Sequence, residues 1–277
     1  MRTLAFLVVC GVAAAQTDPH PQFEVVSIKP SPPGGRGMFI RNSPGGRVEL
    51  TNMTLKEMIV IAYRIQPFQI SGGPAWIDSV HYEVSTKAES TPKPGEMPLM
   101  LQAMLADRFQ LTLRRETKEL PIYALVLAKK DGKLGPGLVE TKEGSCATFD
   151  PTKPPPPPEP GKEPPRFCGG MRMGFGELRA VGIPVANMTP MLSRMLGRTV
   201  IDSTGLTAKY DVAMDWAPDD SLAFQLGPDA PRPAASGDRT GPSIFTAIQE
   251  QLGLKLEARK GPVEVFVIER AEKPSEN

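Results

Sequence analysis

The sequence is poor in the residue types on which most catalytic centres depend. Among its 277 residues there are two histidines, three cysteines and two tryptophans. A Ser-His-Asp or Cys-His arrangement would have to use His81, because His20 lies near the N-terminus, where chains commonly fray. The motifs G-x-S-x-G, H-E-x-x-H and C-x-x-C are all missing. We therefore predict no catalytic histidine, no metal site and no cofactor, and we interpret His81 as a surface residue.

An excess of charge of either sign is missing as well. Lysine and arginine total 32 and aspartate and glutamate 31, so the net charge is +1. The two signs are mixed along the chain, and no basic stripe indicates nucleic-acid binding. After the first 15 residues, no apolar run approaches the roughly 20 residues that cross a bilayer. The sequence thus predicts no nucleic-acid partner and no membrane span in the mature protein.

Residues 1–15 have the pattern of a secretory signal peptide. Arg2 supplies a short positive region, Leu4–Val12 an apolar stretch and Ala13–Ala15 an A-x-A cleavage site. Cys10 follows Val9, which is bulkier than the small residue that lipoprotein processing favours, so we assign Cys10 to the removed segment. We expect the mature chain to begin at Gln16 and to be periplasmic or extracellular.

The two remaining cysteines predict a disulfide. Cys146 and Cys168 bracket the proline run Pro154–Pro158. In an oxidising compartment two leftover cysteines usually pair. The bond would close a loop of about 20 residues and contribute roughly 3 kcal/mol in the chain-entropy model. The alternative is two free thiols on an irregular loop.

The second half of the sequence repeats the pattern of the first, because Leu101–Leu127 corresponds to Ile244–Ile268. The matched positions are Leu101, Leu105, Phe109, Leu111 and Leu113 with Ile244, Ile248, Leu252, Leu254 and Leu256, and, after a two-residue gap in a predicted turn, Pro121, Ile122, Ala124 and Val126 with Pro262, Val263, Val265 and Val267. Upstream, the triplet Asn52–Thr54 matches Asn187–Thr189, and Tyr82–Val84 matches Tyr210–Val212. The repetition predicts a duplicated module.

Hydrophobic periodicity gives each module the order β-α-β-α-β-β, which makes the fold class α+β with two tandem homologous modules. We place the first module at 23–134, a proline-rich, disulfide-closed linker at 135–176 and the second module at 177–277. Each module is predicted to end in a hairpin, with turns before Pro121 and at Lys260–Pro262, where glycine and proline favour turns. We interpret Gly169–Gly176 as flexible chain.

The first helix of each module has a recognisable start. Thr54 and Glu57 have the spacing of a capping box, followed by an apolar stripe of Leu55, Met58, Ile59 and Ala62. Thr189 and Pro190 predict the start of the counterpart helix, since proline is favoured at the first helical position.

Acidic residues leave one catalytic alternative open. Asp211, Asp215, Asp219 and Asp220 cluster in sequence, and the first two share one side of a predicted strand. The calcium-loop pattern is not met, so we favour a solvated acidic strand end. Carboxylates that converge from distant positions can still hydrolyse glycosidic bonds.

The segment Ser71–Trp76 is the best candidate for a contact surface. Glycines permit close backbone approach, and tryptophan is favoured at binding hot spots. We therefore predict Ser71, Gly72, Gly73 and Trp76 as binding residues. The alternative is a tight turn with Trp76 folded into the core.

Several of these segments form a wider resemblance. FEVVSIKPS, NMTLKEMIVIAY, QISGGPAWID and the helix-strand repeats resemble a secreted family of unknown function, expanded in soil acidobacteria of the Solibacter type. The likeness extends from Phe23 to Asn277 outside the proline-rich linkers. The sequence also resembles domains that are fused behind membrane-bound metallopeptidases of the antibiotic-sensor type, and this resemblance implies a sensing or binding role. More weakly, the units resemble the short N-terminal domains of secretins and TonB-dependent receptors, which bind partners.

Together these patterns predict an exported, non-catalytic binding or protein-interaction module of the cell envelope, with an unidentified envelope protein or extracellular ligand as partner. The alternatives are a secreted hydrolase with paired carboxylates and a regulatory partner of an envelope protease. An enzyme should gather titratable groups in a cleft. A binding module should expose an apolar surface or an open strand edge.

Overall fold

The computed structural model describes residues 21–148, 166–217 and 241–275, apart from positions 33, 35, 36, 44, 94 and 175. Within these ranges the chain forms a mixed α/β fold with four helices, three four-stranded sheets and one two-stranded sheet. Helices packed on mainly antiparallel strands agree with the predicted α+β class. The predicted signal peptide, Pro154–Pro158, Asp219 and Asp220 lie outside the described residues.

The elements are short except for two long strands. The strands are β1 (Val25–Pro30), β2 (Phe39–Ser43), β3 (Arg47–Thr54), β4 (Ile70–Gly72), β5 (His81–Lys87), β6 (Thr112–Leu127), β7 (Leu138–Glu140), β8 (Ala147–Thr148), β9 (Phe167–Cys168), β10 (Met171–Gly174), β11 (Glu177–Ile183), β12 (Val200–Asp202), β13 (Tyr210–Asp215) and β14 (Leu254–Arg270). The helices are α1 (Leu55–Tyr63), α2 (Glu96–Arg108), α3 (Thr189–Leu196) and α4 (Ile244–Ala247), the last continuing as a π-helical turn over Ile248–Leu252.

Helix α1 begins where the sequence predicts. The Thr54 hydroxyl accepts the Glu57 N–H at 3.2 Å, and the Glu57 carboxylate accepts the Thr54 N–H at 2.7 Å. The predicted apolar stripe is buried: Leu55, Met58, Ile59 and Ala62. Helix α3 starts differently, because Thr189 lies inside the helix and its hydroxyl donates to the carbonyl of Ala186.

Two of the sheets share one strand order. The first sheet is β1-β5-β3-β2 and the second is β7-β13-β11-β10, and every pair in both is antiparallel. The third strand of each contains a register shift, between Leu50 and Met53 in β3 and between Ala180 and Ile183 in β11. Such bulges redirect side chains locally.

The third sheet, β12-β6-β14-β4, joins the two halves of the chain. Strands β6 and β14 pair antiparallel, from Leu254 opposite Leu127 to Ile268 opposite Leu113. The short strands β12 and β4 lie parallel to β6 and β14 on the two outer sides. Both predicted hairpins are therefore wrong. Each is one continuous strand whose partner comes from the other half of the chain.

The prolines that suggested turns lie where a strand tolerates them. Tyr123 donates its N–H outward, to the carbonyl of Thr199 at 2.8 Å. Because directions alternate along a strand, the nitrogen of Pro121 also points away from β14. Pro262 faces Glu119 in a pair of the same kind, so neither proline removes a bond between the strands. The predicted two-residue gap is not needed either. Tyr123, beside β12, is as far from Leu111 as Phe266, beside β4, is from Leu254, so the match of Leu111 with Leu254 extends to both positions without a gap.

The long strands carry side chains into two separate cores. Phe266 and Ile268 of β14 are buried in the first core with Leu105 and Phe109. Leu125 of β6 is buried in the second core with Ile248. A third, small cluster of Ile122, Val263 and Val265 lies on the other face of the ribbon that β6 and β14 form together. Each core is thus completed by side chains from the long strand of the other half of the chain.

Cys146 and Cys168 form the predicted disulfide, with 5.2 Å between their Cα atoms. The bond lies beside the two-stranded parallel sheet β8-β9. The stretch predicted as a linker, 135–176, also contributes β7 and β10 to the second sheet. Gly174 ends β10 and Gly176 turns the chain into β11, so these glycines belong to a hairpin and not to flexible chain.

Candidate interaction surfaces

The predicted contact segment lies at one edge of the central sheet. Ser71 and Gly72 belong to β4, which pairs only with β14 among the described strands. Residues 71–75 are exposed, whereas Trp76 is half-buried and packs against the first core. The structure therefore brings Ser71, Gly72 and Gly73 to the surface, while the Trp76 side chain contributes mainly to packing. A binding role for the segment stays a prediction.

The two glycines of this segment have a packing explanation. Gly73 has a φ of +84°, and a Cβ there would lie 3.1 Å from a methyl of Ile268 and of Ile77. Gly72 has a φ of +74°, and its Cβ would lie 3.2 Å from the Ile268 carbonyl oxygen. Both the left-handed backbone and the close approach to β14 favour glycine.

A more apolar surface lies at the outer edge of the first sheet, on β2. Among the described strands β2 pairs only with β3. Met38, Phe39 and Ile40 expose 52%, 63% and 47% of their surface. Ile40 lies opposite Leu50, which is buried in the first core, so the apolar inner face of the sheet runs out to an uncovered rim.

The second sheet has a matching edge on β10. Met171 and Met173 expose 40% and 43% of their surface. They lie opposite Ala180 and Leu178, which face the second core. Exposed apolar side chains beside unpaired backbone groups form a template for an additional strand. The sequence did not predict either edge strand, because the glycines around β2 and β10 interrupt the strand pattern.

The acidic residues of the middle strands are held by hydrogen bonds at the two bulges. Glu83 on β5 accepts the Ser31 hydroxyl at 2.9 Å and the Asn52 N–H at 3.0 Å. Asp211 on β13 accepts the Thr141 hydroxyl at 2.8 Å and the Gly182 N–H at 3.0 Å. Asn52 and Gly182 both have positive φ and both lie in the register shifts. The same arrangement thus occurs in both sheets.

Asp211 has one further partner, the guanidinium of Arg166 at 2.5 Å. Burial alone would raise the pKa of the Asp211 carboxyl. The hydrogen bonds from Thr141, Arg166 and Gly182, together with the charge of Arg166, outweigh burial and hold that pKa below its usual value. Gly182 also leaves room for the disulfide, because a Cβ at this position would lie only 3.2 Å from the Cys146 sulfur. Asp211 therefore fixes the disulfide region to the second sheet.

Asp211 and Asp215, which were left open as a possible catalytic pair beside the favoured solvated strand end, have separate partners in the structure. Asp215 instead accepts two hydrogen bonds from Arg179, at 2.7 and 2.9 Å. Glu49 and Glu83 do line one cleft, of about 310 Å³, on the outer face of the first sheet, together with Lys29. Two carboxylates in one cleft are the minimum that a glycosidase needs, and other described clefts hold carboxylates as well, such as the one lined by Glu24, Glu89 and Glu96.

The structure leaves the predicted surface residue His81 partly buried. Its Nδ1 lies 3.2 Å from the carbonyl oxygen of Ser79, at the start of β5. Within the described ranges, no three histidine, cysteine or acidic side chains come close enough together to hold a metal ion.

Two groups of aromatic contacts, one on each of the long strands, flank the paired strands β6 and β14. The Arg115 guanidinium lies 5.3 Å from the Phe266 ring centre, and Tyr63 packs on the same ring at 5.7 Å. Arg198 lies 4.7 Å from the Tyr123 ring, and Phe245 packs there at 5.7 Å. Burial raises the pKa of the Tyr63 phenol, with Arg115 acting in the opposite direction. These cation–π contacts stabilise the ribbon at matching places.

Comparison with known proteins gives a family and no activity. A family model described as a protein of unknown function, DUF3738, matches residues 56–271. No curated protein and no solved structure matches the chain. No helix in the described part of the chain is long and apolar enough to cross a membrane.

Proposed function

We propose that this chain, which belongs to the DUF3738 family of proteins of unknown function, is an exported, non-catalytic binding or protein-interaction module of the cell envelope. The observation that carries the proposal is the pair of open sheet edges, β2 and β10. Each combines unpaired strand backbone with exposed apolar side chains from a face that otherwise packs on a core. A protein segment in extended conformation would bind such an edge by adding a strand.

The location in the envelope is supported by the signal-peptide pattern of residues 1–15 and by the Cys146–Cys168 bond. Disulfides persist mainly in oxidising compartments. The resemblance to acidobacterial secreted proteins, to sensor-associated domains and to the short domains of secretins and TonB-dependent receptors points to the same role. A regulatory partner of an envelope protease would be one form of it.

We further propose that the two halves arose by duplication, with modules at 23–134 and 177–277. The identical strand order of the first and second sheets supports this. So do the two bulges, each with a carboxylate that accepts one hydroxyl and one bulge N–H. A shared ancestor would explain why both halves end in a long strand and present an apolar edge.

The binding proposal is tested with a displayed library of unstructured peptides, selected on the mature protein. Enriched peptides should bind the wild type and lose binding to Ile40→Pro or to Met173→Pro, because both changes remove an outward N–H from an open edge. Peptides that bind both variants normally but fail on Ser71→Lys would move the site to the predicted β4 segment. Binding that survives all three changes would contradict the proposal.

The alternative hydrolase is favoured by one observation, the cleft with Glu49 and Glu83. Its test is turnover on a panel of polysaccharides, peptidoglycan and esters. Turnover abolished by Glu49→Gln or Glu83→Gln, with an unchanged melting temperature, would replace the binding proposal. Glu83→Gln needs the stability control, because Glu83 also holds the bulge of β3.

A further inference from the structure

We propose that β2 is the site of self-association, and that it pairs antiparallel with β2 of a second copy of this chain about a two-fold axis at Ile40. The pairing would join two four-stranded sheets into one of eight strands. This inference deepens the proposed function by naming the partner of one of its two edges. It rests on three features of β2: the direction of its backbone groups, the order of its side chains and its lack of edge protection.

The backbone directions follow from the pairing in the first sheet. Ala88 donates its N–H to the carbonyl of Gly46 at 3.0 Å. In this register, the backbone N–H and C=O groups of Val48 and Leu50 in β3 therefore point toward β5. Odd-numbered β3 residues then face β2, and they lie opposite Phe39, Arg41 and Ser43. The N–H and C=O groups of Ile40, Asn42 and Met38 therefore point outward, to the open side.

A two-fold axis at Ile40 uses all of these outward groups. Ile40 would pair with Ile40 of the second copy and Met38 with Asn42, each through reciprocal backbone hydrogen bonds. Phe39 would lie opposite Arg41 in a pair of the closer, non-hydrogen-bonded kind, with Cα atoms about 4.5 Å apart. Two cation–π contacts would form, one on each side of the axis. The order Phe-Ile-Arg is thus complementary to itself.

Other registers are less favourable. An axis at Arg41 would set two arginines directly opposite each other, and like charges in that position destabilise a sheet. The Arg41 side chain is 76% exposed and its only described carboxylate partner, Glu49, is 3.8 Å away, so little would offset the repulsion. An axis at Phe39 would place Asn42 opposite position 36, outside β2, and would leave Arg41 without an aromatic partner.

The edge also lacks most of the features that keep free strands apart, and its one charged residue, Arg41, takes part in the proposed pairing. Natural edges carry lysine, proline or a bulge to prevent pairing. β2 contains neither lysine nor proline, and its register with β3 has no shift. β10 is open too, but it contains no aromatic residue that Arg172 could contact across a two-fold axis. Self-complementarity therefore favours β2.

The first experiment measures molar mass by sedimentation equilibrium over a dilution series of the mature protein. The wild type should approach twice the mass of one chain as concentration rises. Ile40→Pro should stay at the mass of one chain, because it removes an outward N–H and leaves the bonds to β3. Met173→Pro makes the same change on β10 and should still dimerise. Circular dichroism confirms that both variants are folded.

The second experiment fixes the register by cysteine cross-linking. Phe39→Cys chains mixed with Arg41→Cys chains should form a mixed disulfide dimer, which keeps one Phe-Arg contact. Neither variant alone should cross-link to itself. Self-linked Phe39→Cys would indicate an axis at Phe39, and self-linked Arg41→Cys an axis at Arg41; either result would overturn the register.

A wild type that keeps the mass of one chain at every concentration would overturn self-association. So would a dimer lost in Met173→Pro but kept in Ile40→Pro. Neither result removes the proposed function, because peptide binding at an edge is measured separately on the single chain. If the wild type dimerises but binds no peptide at either edge, self-association stands and the proposed function is contradicted.

Discussion

At the scale of single residues, the bulges of β3 and β11 explain acidic side chains that the sequence alone leaves ambiguous. Glu83 and Asp211 were visible as part of a repeated Tyr-acid-Val pattern, and a solvated strand end was the favoured interpretation for Asp211. In the structure both carboxylates accept a bulge N–H. The sequence could not indicate this, because Ser31 and Thr141 are distant from them along the chain and only sheet pairing brings the hydroxyls close.

Asp211→Asn should lower the free energy of unfolding at neutral pH by about 1.5–3 kcal/mol, the usual range for hydrogen bonds to a charged group. The folded-state pKa of Asp211 is lowered, so its stabilisation is present above the ordinary carboxyl pKa. It is lost as pH falls through the lowered value. Urea unfolding at a series of pH values should show the gap between wild type and variant shrinking in acid.

Asp215→Asn is the matched control on the same strand. Its carboxylate is 63% exposed, and exposed ion pairs contribute about 0–1 kcal/mol. A gap for Asp211→Asn that stays constant into acid would contradict the assigned role of its charge.

At the scale of elements, the helices and about half of the strands were predictable, whereas the edge strands β2 and β10 and the pairing of the long strands were not. The stripe of α1 and its capping box are local patterns, and they appear where the sequence predicts. The turns before Pro121 and at Lys260–Pro262 were wrong for a physical reason. A proline whose nitrogen faces away from the partner strand resembles a turn signal locally, and the partner strand lies more than a hundred residues away.

Thr54→Ala should cost about 1 kcal/mol of stability through the lost helix cap. Leu105→Ala and Ile248→Ala should each cost more, about 2–5 kcal/mol, since both side chains are fully buried in their cores. Denaturant unfolding of the three variants measures the order. A cap variant less stable than either core variant would be inconsistent with this packing.

The continuous β6–β14 ribbon makes a prediction that a pair of hairpins does not. Lys118→Pro should destabilise the protein by about 1–3 kcal/mol, because its N–H points toward Val263 on β14 and the carbonyl there would lose its partner. Glu119→Pro should cost much less, since that N–H points outward. Both side chains are exposed, so packing changes little in either variant. Equal losses of stability would argue for a turn at this place.

At the scale of the whole molecule, the shared sheet should make the two halves unfold together. Each core contains residues from a strand that is paired to the other half, such as Phe266 and Leu125. The repeated sequence pattern predicted a duplication but not this exchange of partners, because both arrangements bury the same apolar pattern.

The two tryptophans allow that cooperativity to be measured. Trp76 packs against the first core and Trp216 is buried in the second. Trp76→Phe and Trp216→Phe each leave one tryptophan as a fluorescent reporter. Within each variant, the denaturant midpoint measured by tryptophan fluorescence should equal the midpoint measured by circular dichroism. Two clearly separated transitions within one variant would mean that the halves fold independently.

The claim that the open edge of β2 is a binding surface is tested most directly by amide hydrogen exchange at residue resolution, across a dilution series of the mature protein. Phe39 and Arg41 direct their N–H groups to β3 and should be protected at every concentration. Ile40 and Asn42 direct theirs outward, so they should exchange fast in dilute protein and become protected as concentration rises. Fast exchange at Ile40 and Asn42 under all conditions would contradict self-association at β2, and protection that does not change with concentration, in a sample whose mass stays that of one chain, would show that the edge is already covered within one chain.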